Sequence, residues 1–63
     1  MIVKVSRNIW KAATLGTVQY SGKKILYRLR DQELHQMGGE ETVWFEAEEK
    51  DGKLTLKYRV KAP

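Results

Sequence analysis

The residues that could break or make covalent bonds are few, and their spacing does not support it. His35 is the only histidine. It stands beside Asp31 and Glu33 with no second imidazole and no thiolate to complete a metal set, and with no serine or cysteine placed to use it as a base. A titratable residue without partners makes no site, so His35 reads as a solvated side chain. Glu40, Glu41, Glu46, Glu48 and Glu49 offer carboxylates, yet paired-acid hydrolysis needs one of them in a cleft with a raised pKa. On a small sheet such residues serve as ion-pair partners, here for Lys57 and Arg59. Gly38-Gly39 reads as a helix stop rather than a phosphate-cradling loop. No catalytic residue, metal or cofactor is expected, and the chain reads as non-enzymatic.

What remains are cations and indoles, whose chemistry is binding. Lys24, Arg28 and Arg30 are spaced to share one face of an extended ribbon, and Lys57, Arg59 and Lys61 repeat that spacing near the other end. Such a run can be merely a solvated face that discourages edge pairing. Set beside aromatic rings, it also suits a phosphate backbone with unstacked bases. Trp44 is placed by strand alternation on a charged face, where it forms a cation–π pair with Arg59, packs in a second minor core under the loops, or offers a stacking platform for a base or a partner's side chain. Trp10, flanked by Arg7 and Lys11, either anchors its irregular segment or projects as a binding residue. The candidate binding set is therefore Arg7, Trp10, Lys11, Lys24, Arg28, Arg30, Trp44, Lys57 and Arg59.

The elements that must position these residues are mostly strands. Residues 42–61 read as a hairpin around Asp51-Gly52, a pair suited to a tight turn whose two central residues need φ > 0. Pairing outward sets Ala47 against Leu56, Phe45 against Tyr58 and Val43 against Val60 on an apolar face. Glu46 then meets Lys57, and Trp44 meets Arg59, on the charged face. Residues 17–30 form a second hairpin, residues 17–20 leading into Ser21-Gly22-Lys23-Lys24 and residues 25–30 leading out, with Val18, Tyr20, Ile25, Tyr27 and Leu29 inward and Lys24, Arg28 and Arg30 outward. Residues 2–7 alternate Val3 and Val5 against Lys4 and Ser6, as a half-buried strand does. Residues 8–16 are a loop, a bent strand, or a short helix capped by Asn8 and ended by Gly16. Asp31 is placed to cap a helical turn over 31–38, with Glu33 in its first turn, Gly38 as its stop, and Leu34 and Met37 covering the core.

Sixty-three residues make a single domain, 1–63, and a chain of this size buries only about 60% of its unfolded surface, which leaves little room for an enclosed cavity. There is no cysteine, so self-association or a partner is the staple left to it, and a homo-oligomer is in view. Two amphipathic hairpins and a lone strand bury their apolar faces by curling into a mainly all-β, five-stranded, partly open barrel. The helix between the third and fourth strands matches the order of the oligonucleotide/oligosaccharide-binding (OB) fold, and an SH3-like barrel fits equally. In an OB-like arrangement the second and third strands and the loop after the first would be the binding face, bringing Arg7, Trp10, Lys11, Lys24, Arg28 and Arg30 together.

Charge narrows the partner. Residues 1–30 carry seven basic side chains and no acid, whereas all eight acids lie within residues 31–51. Two readings follow: a nucleic-acid-binding module with little sequence preference, or a protein-interaction module that addresses an acidic partner through Trp10 and Trp44. No apolar run approaches the ~20 residues of a helical span, and the start lacks the basic and apolar regions of a signal peptide. A soluble, cytoplasmic protein is expected.

Overall fold

The computed structural model describes residues 1–7 and 14–63. The protein is mostly β: β1 (Ile2–Arg7), β2 (Leu15–Tyr20), β3 (Lys23–Arg28), the helix α1 (Asp31–Met37), β4 (Thr42–Lys50) and β5 (Lys53–Val60). The strands form one antiparallel sheet in the order β3-β2-β1-β4-β5. Alternation decides its faces. Val3, Val5, Val18, Val43, Phe45, Ala47 and Leu56 are buried on one side, and Leu29 and Met37 close that core from beyond β3 and from α1. Tyr20, Ile25, Tyr27, Leu34 and Leu54 are partly buried against it. The segment 8–13, including Trp10, Lys11 and the proposed Asn8 cap, lies outside the described residues.

No backbone ladder joins the two outer strands, β3 and β5, among the described residues. Side chains bridge them instead. The Leu56 N–H donates to the Tyr27 hydroxyl at 3.3 Å, and the Leu56 carbonyl accepts from Arg30 Nη2 at 3.2 Å. The sheet is thus curled far enough for side chains from one end to reach the backbone of the other, and two polar backbone groups of an edge strand are satisfied without pairing.

Both hairpins close on two-residue turns. Tyr20 pairs with Lys23 around Ser21-Gly22, and Lys50 with Lys53 around Asp51-Gly52. Asp51 and Gly52 have φ of 52° and 77°, the left-handed pair that matches the twist of the flanking strands. Near this turn the expected register holds, with Ala47 opposite Leu56. Beyond it the register slips by one. A bulge between Glu46 and Ala47 leaves Lys57 unmatched, so Tyr58 pairs with Glu46, Arg59 with Phe45 and Val60 with Trp44. This corrects the expected pairs Glu46–Lys57, Phe45–Tyr58, Trp44–Arg59 and Val43–Val60: one extra residue reverses the face of everything after it.

Two further expectations change. Gly16 does not end a helix; it is a buried member of β2, paired with both Arg7 and Tyr27. A Cβ there would come within 2.8 Å of the Ser6 carbonyl oxygen and 3.1 Å of the Leu29 side chain, so glycine lets Leu29 pack onto the strand. The helix is capped by Arg30 rather than Asp31. The fully buried Glu33 accepts the Arg30 backbone N–H at 2.7 Å and forms an ion pair with its guanidinium at 2.7 Å. That satisfies an orphan N–H of the first turn, and the buried carboxylate is charge-compensated. Gly38 ends the helix in the left-handed region, φ 61°.

Candidate nucleic-acid interface

The sheet's outer face is built by the residues that alternate with the core. Across all five strands, register aligns Lys24, Gln19, Lys4, Trp44 and Val60 in one row. The next row on one side holds Leu26, Thr17, Ser6 and Thr42, where the Ser6 and Thr42 hydroxyls lie 3.2 Å apart. On the other side Ile2, Glu46 and Tyr58 line up. Arg28 completes the face at the end of β3, opposite Leu15. One half of the face, over β1 to β3, is thus cationic, and the other, over β4 and β5, is aromatic. They meet at the neighbours Lys4 and Trp44.

Exposure follows the same division. Lys4, Lys24 and Arg28 are exposed, and no carboxylate pairs with any of them among the described residues. Lys4 and Lys24 are two strand spacings apart, about 10 Å, and Lys24 and Arg28 are four residues apart along β3, roughly 13 Å. Trp44 is half-buried on this face, while Tyr58 is 56% and Ile2 48% exposed. A groove of about 530 Å³ opens beside Trp44, lined by Glu40, Thr42, Trp44, Arg59, Val60 and Lys61 among others. Glu46, between Ile2 and Tyr58 in their row, accepts a hydrogen bond from the Met1 ammonium, which holds its pKa below the ordinary glutamate range.

The nine candidates separate into four groups. Lys24, Arg28 and Trp44 share the outer face. Arg30, Lys57 and Arg59 are engaged elsewhere: Arg30 with Glu33 and Leu56, and Lys57 with Glu48 at 3.7 Å. Arg59, turned inward by the bulge, donates to the Gln36 carbonyl at 3.0 Å and forms an ion pair with Glu40. Its backbone N–H donates to Gln36 Oε1 at 2.9 Å. It therefore serves the C-terminal carbonyls of α1, where a cation suits the helix dipole. The set Lys24, Arg28 and Arg30 and the set Lys57, Arg59 and Lys61 are not joined by backbone pairing among the described residues, since β3 and β5 stand at opposite ends of the sheet order. Arg7 lies apart from the outer cations, on the inward parity of Val3 and Val5, with its Nε buried and unbonded among the described residues. Trp10 and Lys11 belong to the segment outside the described residues.

No family model matches the chain, and no curated protein or solved structure gives a significant match. Among the described residues no three of His, Asp and Glu gather in a metal-holding group, and no helix is long and apolar enough to cross a membrane.

Sequence reasoning missed Lys4 and Tyr58. Lys4 alternates with Val3 and Val5, which signalled its outward direction, but only the pairing of β1 with β4 sets it beside Trp44. For Tyr58 no local signal existed, because Lys57 resembles any other strand residue.

Proposed function

We propose that the protein is a non-enzymatic nucleic-acid-binding module with little sequence preference, acting in the cytoplasm through the outer face of its sheet. The observation that carries this reading is the set Lys4, Lys24 and Arg28, three exposed cations without carboxylate partners among the described residues, on the face that also presents Trp44. Neutralising phosphates with such residues releases counterions, and that release drives sequence-independent binding. Acids elsewhere are engaged by Arg30, Lys57 and Arg59, so Lys4, Lys24 and Arg28 are not spent on the fold.

The test is a titration of labelled oligonucleotides at several salt concentrations. Three phosphate contacts give a slope of log affinity against log salt of about −2 to −3. Replacing Lys4, Lys24 and Arg28 together by alanine removes most of the affinity and flattens that slope, whereas Lys53→Ala, at the tip of the β4–β5 hairpin, leaves both nearly unchanged. Absence of binding at low salt ends the proposal. A second reading draws on the exposed Ile2 and Tyr58 beside Trp44: the face docks an acidic protein or a second copy of the chain, with these rings as hot spots. Sedimentation at rising concentration tests self-association directly.

A further inference from the structure

We infer that the ligand is single-stranded rather than duplex nucleic acid, its bases laid on Trp44 and Tyr58 and its phosphates on Lys4 and Lys24. This rests on the nucleic-acid reading above and narrows it. The decisive feature is the bulge at Lys57. Without it Tyr58 would point with Phe45 into the core; with it Tyr58 stands 56% exposed on the outer face, opposite Glu46 and diagonal to Trp44. Diagonal neighbours on antiparallel strands are about 7 Å apart, within mutual reach of aromatic side chains. Two rings are thereby offered to successive bases, and base faces are free to stack only where a strand is unpaired.

The remaining surface offers a duplex little. α1 is seven residues long, carries Asp31 and Glu33 in its first turn and holds no Lys or Arg, so it is unsuited to a major groove lined by phosphates. The cations lie on the sheet itself, beside the rings. Charge also agrees around Tyr58, since the neighbouring Glu46 is compensated by the Met1 ammonium. The row from Lys24 to Val60 crosses four strand spacings, roughly 19 Å along the curved sheet. That length suits a site at the short end of the ~4–16 nucleotides that small barrels occupy.

The experiment compares an unstructured single strand of about twelve nucleotides with its duplex, by anisotropy at low salt and by tryptophan fluorescence. A Trp10→Phe background, its affinity first compared with that of the parent chain, makes Trp44 the sole indole. The expected result is at least a tenfold preference for the single strand, with quenching of Trp44. Tyr58→Ala weakens single-strand binding about 5- to 100-fold, the range of one lost stacking contact, while Tyr58→Phe keeps it. Because Tyr58 is exposed, neither change disturbs the core. Equal or tighter binding of the duplex, or indifference to Tyr58→Ala, overturns the inference while leaving the nucleic-acid reading intact. Failure to bind either form overturns both.

Discussion

The Tyr20 hydroxyl donates to Glu49 Oε2 at 3.0 Å, tying β2 to β4 at one end of the sheet. That hydrogen bond, reinforced by the carboxylate's charge, raises the phenol's pKa above its ordinary value of 10.0. The folded pKa exceeds the unfolded one, so the contact contributes fully below about pH 10 and is lost as pH rises through the folded value. A tyrosinate then faces a carboxylate. Glu49→Gln should move the Tyr20 titration downward, read from its ring carbon shift by NMR. An unmoved midpoint would assign the shift to another cause. At this scale the sequence was informative where one residue's direction follows from its neighbours. Trp44 outward and Phe45 inward could be read from alternation within 42–47. Glu33 could not, because nothing local announces that a carboxylate will be buried against the arginine three residues before it.

At the level of elements, each strand and the helix was legible from apolar alternation and from the pairs Ser21-Gly22, Asp51-Gly52 and Gly38-Gly39, which punctuate the chain. What escaped was how edges are finished. The Tyr27 hydroxyl and Arg30 guanidinium cover the Leu56 N–H and carbonyl, and neither contact leaves a periodic trace. Tyr27→Phe isolates the first. Removing that acceptor should cost about 1 kcal/mol and quicken exchange of the Leu56 amide by roughly fivefold, with amides of β1 unaffected. Uniform acceleration across the sheet would indicate instead that the hydroxyl supports global stability alone.

At the level of the whole molecule, a small core carries the fold. Phe45 is fully buried at its centre, and Phe→Ala changes in cores cost about 3–5 kcal/mol. A chain of this length has roughly 3–9 kcal/mol of stability to lose. Phe45→Ala should therefore abolish or nearly abolish the cooperative urea transition followed by circular dichroism. By contrast Leu26→Ser, at a site 78% exposed on the outer face, should shift stability by no more than about 0.5 kcal/mol. The global arrangement was the least legible level. Hairpins are set by their turns, but the pairing of β1 with β4 joins distant stretches, and from it come both the central position of β1 and the meeting of Lys4 with Trp44. Charge segregation along the chain suggested a polar molecule; the ion pairs of Arg30, Lys57 and Arg59 then determined which cations were left over.

The supernumerary residue at position 57 has a genetic corollary. An in-frame loss of one codon there would remove the bulge and keep every other pairing, with Leu56 opposite Ala47, Tyr58 opposite Glu46 and Arg59 opposite Phe45. A deletion inside a regular strand turns every later side chain to the other face; at this position a three-nucleotide deletion would spare the exterior.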